Sequence, residues 1–356
     1  MAKVLIYAML EGFGGVEEYV LNLTRYGKNP KEKYGYVILG EKTIYEEVLK
    51  KAEVDYFFIP PKRKLCQNIR EMKKLLKRLR GEYDTVYFNT SGLYYPVPYL
   101  LAIIYGYKIV LHSHSIEANS GKKWLHLFNR YWINQFVRNR LACSIPAAAW
   151  MFGKRAEDAV IIPNAVDLQR FQFNENTRMN IRNKLGLRDE LLIGHIGRLT
   201  SVKNQKRLLD IFSCFIKNGN RGKLILVGDG EDRKKLYDRA IKLEIEKYVI
   251  FYGSTSQPEK LLCAIDCFVM PSLAEGFPIT LVEAQACSVP CVVSKSITAE
   301  VNLTGQVSFV SLEDSDFIWV QEILKAGQRR REENISLLQE AGYDLYNLES
   351  HVSSYL

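Results

Sequence analysis

Short β-branched and aromatic runs alternate with helical patterns along the whole chain. Over residues 1–165 the runs are Val4–Ala8, Tyr36–Leu39, Tyr56–Ile59, Thr85–Asn89, Lys108–His112, Leu141–Ser144 and Val160–Ile162. Beyond residue 165 they are Leu192–Ile196, Leu224–Val227, Val249–Tyr252, Cys267–Met270, Cys291–Ser294 and Ser308–Val310. A strand that passes through a helix into the next strand pairs parallel to it, and parallel sheets are covered on both faces. The alternation therefore predicts an α/β protein built of doubly wound parallel sheets. A chain of 356 residues has room for about two domains. Pro163-Asn164 follows the seventh run, a polar irregular stretch spans Asp167–Asn183, and a fresh strand opens at Leu191. The boundary is placed near residue 165. Two such domains leave a cleft at the carboxyl ends of their strands, so function is sought in the loops that follow strands.

Charge divides the chain at the same place. Residues 1–165 carry 25 basic and 15 acidic side chains, and the remainder 24 and 25. The whole excess of +9 thus comes from the first half, which suits an anionic surface or ligand. At 47% hydrophobic and 25% charged the composition excludes disordered and fibrous classes. Val4–Ala8 is too short for a secretory core. The longest apolar stretch, Leu93–Leu111, is interrupted by Pro96, Pro98, Gly106 and Lys108, and reads as helix then strand rather than a membrane span. Seven cysteines without a C-x-x-C pair suggest reduced thiols in a cytoplasmic protein. Cys263, Cys267, Cys287 and Cys291 form two C-x3-C pairs. Each pair straddles a helix and a strand, which favours small buried hydrophobes over a zinc knuckle.

Three loops hold chemistry-bearing residues. Glu11-Gly12-Phe13-Gly14-Gly15-Val16 follows the first strand but fails the G-x-G-x-x-G fingerprint, because its third glycine would fall at Glu17. It offers a glycine pair before a helix; taken alone it also reads as a tight turn. Gly197-Arg198-Leu199-Thr200-Ser201-Val202-Lys203-Asn204 places two cations beside a helix start, where they could clamp a pyrophosphate or form a solvated basic loop. The strongest pattern is Pro271-Ser272-Leu273-Ala274-Glu275-Gly276-Phe277-Pro278-Ile279, leading into a helix that holds Glu283. The N–H groups from Phe277 to Thr280 would form a phosphate cradle at that helix start. Glu283 also fits a dipole role, whereas Glu275, ahead of a glycine in a strand-end loop, does not.

These motifs together resemble the family 4 glycosyltransferases of GT-B fold. Their two glutamates with seven residues between them match Glu275 and Glu283, and their basic pair matches Arg198 and Lys203. Gly228-Asp229-Gly230 resembles the family's glycine turn, and Phe251-Tyr252-Gly253 its base-side loop. Ile162-Pro163-Asn164-Ala165-Val166-Asp167 resembles its inter-domain segment, with Ala165 where glycine is usual. The resemblance implies two Rossmann-like domains facing across a cleft. Residues 1–165 would bind acceptor, 166–340 would bind nucleotide-sugar, and 341–356 would form a helix crossing back to the first domain. It implies that Arg198 and Lys203 neutralise the leaving diphosphate of a UDP-sugar, and that Glu283 holds the ribose. Glu275, with Gly276, Phe277, Pro278 and Ile279, would hold the sugar and distal phosphate. Gly253 would flank the base, and Gly14 and Gly15 would approach the diphosphate. Of the strand-end pair His112 and His114, His114 matches the family position facing the donor sugar, while His112 is expected on the acceptor and membrane side. A histidine pair is also a metal-ligand reading, but the chain has five histidines and no third partner nearby.

The reaction so implied is transfer of a hexosyl or N-acetylhexosaminyl unit with retention, without metal or other cofactor. The D-x-D at Asp314-Ser315-Asp316 reads as a turn or helix cap. On the acceptor side, residues 62–80 carry nine basic side chains, Lys73, Lys74 and Lys77 among them, and one acid, Glu71. Leu65, Ile69, Met72, Leu76 and Leu79 fall on one helical face of this stretch. Residues 121–140 interleave Trp124, Leu127, Phe128, Tyr131 and Trp132 with Lys122, Lys123, Arg130, Arg138 and Arg140. Each stretch alone could be a core-facing helix with a solvated basic back. Together they suggest peripheral association with the anionic inner face of a membrane, where family members extend lipid-linked saccharides of capsules and exopolysaccharides. Two other readings compete: a UDP-sugar epimerase of the same fold, and a basic nucleic-acid-binding protein. The second lacks an aromatic RNA platform or a recognition helix.

Overall fold

The computed structural model describes residues 3–10, 15–114, 123–329 and 331–356. Its strands are β1 (Lys3–Leu10), β2 (Tyr34–Leu39), β3 (Asp55–Ile59), β4 (Tyr83–Thr90), β5 (Lys108–Ser113), β6 (Val137–Ala142), β7 (Val160–Ile161), β8 (Leu191–Ile196), β9 (Gly222–Val227), β10 (Val249–Gly253), β11 (Cys267–Met270), β12 (Cys291–Ser294) and β13 (Val307–Val310). Every run read from the sequence meets a strand. The largest offset is β6, expected at Leu141–Ser144. Its first half, Val-Arg-Asn-Arg, looks polar, yet Arg140 donates to the Asn134 carbonyl at 2.7 Å and Asn139 to that of Tyr355. Ser144 instead caps the following helix by accepting from the Ala147 N–H.

The strands form two all-parallel sheets, ordered β3-β2-β1-β4-β5-β6-β7 and β10-β9-β8-β11-β12-β13. Both are doubly wound, with the strand order reversing between β1 and β4 and between β8 and β11. The chain divides accordingly into one unit of residues Met1–Ala165 with Gly342–Leu356, and a second of Val166–Ala341.

The helices that bear on function are α1 (Gly15–Tyr26), α2 (Leu65–Leu79), α3 (Lys123–Ile133), α4 (Ile145–Phe152), α5 (Glu175–Lys184), α6 (Gln205–Lys217), α7 (Pro258–Ala264), α8 (Ile279–Ala286), α9 (Asp316–Gly327) and α10 (Leu345–Ser353). In the first unit the period-2 alternation of β1 sends Leu5 and Tyr7 to one face and Val4 and Ile6 to the other. The first face packs on Met72, Leu75, Leu76 and Leu79 of α2, each worth about 1.5–3 kcal/mol when buried. The second packs on Tyr19, Val20 and Leu23 of α1 and on Leu345, Leu348 and Val352 of α10. Glu349 of α10 pairs with Lys33 at 2.5 Å. The apolar stripe of α2 is therefore spent on the sheet. Leu65, expected on that stripe, is half exposed at the helix start.

In the second unit the stretch expected to be irregular contains α5, capped by Asn174 accepting from the Thr177 N–H at 2.8 Å. Its hydrophobic content is too low to announce a helix. What holds it is charge: Arg178 and Arg182 both bind Asp266, which also accepts from the Leu192 N–H at 2.7 Å. The loops after β8, β9 and β10 are laced together by backbone. Gly197 N–H donates to Val227 O, Leu199 N–H to Asp229 O and Gly228 N–H to Gly253 O, at 2.9–3.0 Å. This lacing needs Gly228, whose φ is +128° and whose missing Cβ would lie 2.1 Å from the Gly197 carbonyl.

A Gly228→Ala variant combines that clash with a left-handed φ, a cost of about 2–4 kcal/mol. Urea denaturation should show the loss, and an unchanged midpoint would mean that the loop after β8 is not held by this turn.

Candidate functional site

The second sheet reverses between β8 and β11, and ligands of open α/β sheets bind at such points, outside the carboxyl ends of the strands. The loops after these two strands are stitched together. Leu273 N–H donates to Val202 O at 2.8 Å, and the Asn204 amide donates to Pro271 O at 3.0 Å. Asn204 takes a left-handed φ of 56° and starts α6. Gln205 then reaches back to the Arg198 carbonyl at 2.9 Å and meets the buried ring of His195 at 3.1 Å. Burial lowers the His195 pKa to about 4, so at neutral pH the ring is an uncharged strut.

This scaffold brings Lys203 and Glu275 together. The Lys203 ammonium lies 2.7 and 2.8 Å from the two Glu275 oxygens, and both side chains are largely buried. Arg198 is not part of the pair. It is 75% exposed and stands 3.4 Å from Glu231. The two cations read together from the sequence thus have different partners, Glu231 for Arg198 and Glu275 for Lys203.

Glu275 leads through Gly276 and Phe277 into α8. Pro278, expected inside the first turn, is the residue before it, with φ −74° and ψ 104° and no side-chain cap. Having no N–H, it narrows the expected cradle. Leu281 N–H turns back to Pro278 O, while the N–H groups of Ile279 and Thr280 meet no acceptor among the described residues. One turn into α8, Glu283 makes no hydrogen bond or ion pair among the described residues. Burial raises its pKa to about 7; Arg170 pulls it down and Glu259 pushes it up. Arg170 is committed elsewhere, gripping Glu259 at 2.8 and 3.1 Å and the Ser256 carbonyl at 2.6 Å. Gly253, at φ +85°, ends β10 just before this loop. Arg170, Glu259, Asn204, Gln205 and His195 all escape sequence reasoning. Arg170 lies in the stretch read as irregular, and the others show their roles only through contacts distant in sequence.

In the first unit the reversal lies between β1 and β4. A cavity of about 340 Å³ opens there, lined by Tyr7, Glu17, Lys62, Asn89, Thr90, Tyr94, Tyr95 and Tyr99 among others. The Tyr7 hydroxyl is buried and unpartnered. Gly14 lies outside the described residues, and Gly15 is the first residue of α1.

His112 and His114, at the end of β5, stack with ring centroids 4.1 Å apart. His112 is fully buried, with Nδ1 2.6 Å from the Tyr87 hydroxyl. It is closed to any acceptor or bilayer, contrary to the expectation from sequence, because β5 is an interior strand. His114 sits between Asn89 at 2.9 Å and Asn164 at 3.4 Å, with burial lowering its pKa to about 4. Both ring nitrogens already face amides. Asp314 and Ser315 precede α9, which Asp316 opens; Asp316 binds Arg207 and Asp314 accepts from Ser311 N–H. No cluster of metal-ligating side chains occurs among the described residues.

Two family models cover most of the chain. "Glycosyltransferase Family 4" matches residues 13–170, and "Glycosyl transferases group 1" matches 177–305. The putative glycosyltransferase EpsF of Bacillus subtilis is 30% identical over 93% of this chain and 90% of its own. The chain belongs to the family 4 glycosyltransferases. An Escherichia coli relative of the enzyme, UDP-Gal:alpha-D-GlcNAc-diphosphoundecaprenol alpha-1,3-galactosyltransferase, is 28% identical over 74% of this chain and 70% of that protein. Among solved structures, Anabaena HepE in complex with UDP superposes with a TM-score of 0.83 at 20% identity, over 99% of the transferase and 98% of HepE. The outer-core galactosyltransferase WaaB, in its apo form, gives 0.72 at 20% identity, over 100% and 99%. The likeness shows that the transferase has the GT-B fold.

The raised pKa of Glu283 has a consequence for stability. A carboxyl whose folded pKa exceeds its unfolded value of 4.5 contributes stability that is complete below pH 4.5 and is lost as pH rises through about 7. Glu283→Gln should therefore melt above the wild-type transferase at pH 8, by on the order of 1–2 kcal/mol. The advantage should shrink towards pH 5, and a gap independent of pH would overturn this reading of Glu283.

Proposed function

We propose that this glycosyltransferase moves a hexosyl or N-acetylhexosaminyl unit from a UDP-sugar to a lipid-linked saccharide, with retention of anomeric configuration and without a metal. The observation that carries the reading is the meeting of Lys203, Glu275 and the uncapped start of α8 at one reversal point, with Glu283 unpaired one turn further on. An ammonium and free helix-start amides suit the diphosphate of a departing nucleotide. Lys203 has three donors, and its pairing with Glu275 holds it in place while leaving capacity for a phosphate oxygen. Glu283, once ionised, accepts from ribose hydroxyls. The exposed Arg198 can turn from Glu231 to the diphosphate. The UDP and UDP-glucose complexes of HepE, and the UDP-galactose and diphosphoundecaprenol in the name of the Escherichia coli relative, support the choice of donor and acceptor. The Staphylococcus aureus relative CapM, named for capsular polysaccharide biosynthesis, supports the polysaccharide setting.

In this reading the acceptor hydroxyl oxygen bonds to the anomeric carbon as that carbon's bond to the diphosphate breaks, and the hydroxyl proton passes to the departing phosphate on the same face. Catalysis is positioning plus stabilisation of leaving-group charge by Lys203, Arg198 and the α8 amides, the charge that a divalent ion supplies elsewhere. The tyrosine-lined cavity of the first unit is the acceptor pocket, and His114 is a neutral wall packed between Asn89 and Asn164.

The same reading puts the enzyme on the inner face of a membrane. No helix among the described residues is long and apolar enough to cross one. α3 is an inside-out amphipathic helix: His126 and Asn129 are buried, while Trp124, Phe128 and Tyr131 are 66–79% exposed. Trp132, expected on the membrane face, is half-buried and bonds Asn129 instead. α2 offers only its basic back, with Lys73, Lys74 and Lys77 exposed and Lys74 tied to Glu71. Its contribution is electrostatic, at about 1 kcal/mol per basic residue near the surface.

Lys203→Ala should lower kcat by about 10²–10³-fold with the fold intact, and EDTA should leave wild-type turnover in place. A metal requirement, or near-normal turnover in Lys203→Ala, would contradict the assigned charge stabilisation. Trp124→Ala/Phe128→Ala should reduce co-sedimentation with anionic vesicles while UDP affinity, measured calorimetrically, stays unchanged. Equal sedimentation of the variant would remove α3 from the membrane surface.

A further inference from the structure

Beside the exposed stripe of α3 lies a separate hollow of about 480 Å³ in the first unit. Its lining comes from α3 and the residues after it (Leu127, Arg130, Tyr131, Asn134, Gln135) and from the end of α4 with the turn that follows (Phe152, Gly153, Lys154, Arg155). Three of these are cations and none is an acid; Glu157 and Asp158, further along the same turn, do not line it.

Two features mark the hollow as built. Gly153 has a φ of +58°, and a Cβ there would stand 3.0 Å from the Arg130 guanidinium carbon. Only glycine lets that guanidinium lie against the turn, where Arg130 also donates to the Trp150 carbonyl at 2.9 Å. Asn134 is 5% exposed, and its amide donates to the Met151 carbonyl at 3.1 Å. Its Oδ1 is buried and meets no donor. A buried acceptor without a partner is destabilising, so a hydroxylated ligand that satisfies it gains by binding.

We propose that this hollow is a headgroup site for a membrane phospholipid, taking a phosphodiester that bears a hydroxylated head group. The phosphodiester lies between Arg130, Lys154 and Arg155, and a head-group hydroxyl donates to Asn134 Oδ1. The lipid tails run over Leu127, Tyr131 and the rest of the α3 stripe. Charge complementarity and continuity with the aromatic face identify the occupant, because a soluble phosphate would use the cations but not the stripe. The inference rests on the membrane reading of α3 and sharpens it, from attraction to any anionic surface to recognition of one lipid chemistry. It is independent of Arg198, Lys203, Glu275 and Glu283, which lie in the second unit.

The test is a titration of the full-length enzyme with dihexanoylphosphatidylglycerol below its micelle concentration, with glycerophosphoglycerol and inorganic phosphate as soluble competitors. Lys154→Gln and Arg130→Gln are compared with Arg138→Gln, which removes the same charge from an exposed position on β6 outside the hollow. The expected result is saturable binding, weakened about tenfold or more by Lys154→Gln and less than about threefold by Arg138→Gln. Glycerophosphoglycerol should compete better than inorganic phosphate. Should Arg130→Gln fail to fold, Lys154→Gln carries the comparison alone. Equal losses in Lys154→Gln and Arg138→Gln, with vesicle binding retained, would leave membrane association standing and overturn the headgroup site. Equal competition by inorganic phosphate would replace the lipid with a free anion and overturn it as well.

Discussion

The ion pair between Lys203 and Glu275 ties the loop after β8 to the loop after β11, the two strands between which the second sheet reverses its order. A lysine free at the carboxyl ends of parallel strands would sample many rotamers, and an isolated carboxylate before a helix start would disturb the anion site it borders. Paired, each fixes the other. The backbone bonds from Leu273 to Val202 and from Asn204 to Pro271 then hold both loops at one spacing. The start of α8 inherits its position from this arrangement, and in the proposed reading it meets the diphosphate with little reorganisation, the condition under which electrostatic stabilisation is largest. Glu283 shows the complementary cost. Its acid is kept out of water without a private cation, because Arg170 is held by Glu259.

The first unit solves a different problem. Its sheet is buried on both faces, so the polar groups at the strand ends must be satisfied from within. His112 rests on Tyr87 and against His114, and His114 rests on Asn89 and Asn164. The result is a rigid, uncharged wall rather than a titrating pair. Nearby, α3 reverses the usual distribution over most of its length, turning His126 and Asn129 inward and Trp124, Phe128 and Tyr131 outward, with Ile133 alone fully buried among its apolar side chains. His126 takes the Leu93 N–H at 3.0 Å, and Asn129 donates to the Leu93 carbonyl at 2.7 Å. These bonds anchor the helix through polar contacts and leave Trp124, Phe128 and Tyr131 exposed among the described residues. In the proposed reading this exposed aromatic area is the surface that meets the membrane. The basic residues around it set the sign of what it meets.

Architecture was legible in the sequence because it depends on local periodicity. Buried parallel strands such as Cys267–Met270 and Cys291–Ser294 are continuous apolar runs, and their bounds were read to the residue. β6 and α5 were misjudged for one reason: both are polar in sequence and are held by charges and carbonyls distant along the chain. The motif residues of the second unit were also visible, because glycine, proline and charged residues at strand ends have few uses. Their partners were not. Nothing in the order of residues says that Lys203 pairs with Glu275 while Arg198 turns to Glu231, or that Pro278 precedes the helix rather than entering it.

Sequence alone therefore determined the alternation of strand and helix, the family, and the residue types gathered at the strand ends, since each is written in short-range pattern or in spacing. Tertiary structure decided which charges neutralise one another, which histidine is sealed inside, and which face of a basic helix meets the core. The amphipathic pattern of α2 is satisfied by the sheet beneath it, whereas the pattern of α3 faces outward. A periodicity of 3.6 residues reports that a helix has two faces. Only packing assigns one of them to the protein and the other to its surroundings.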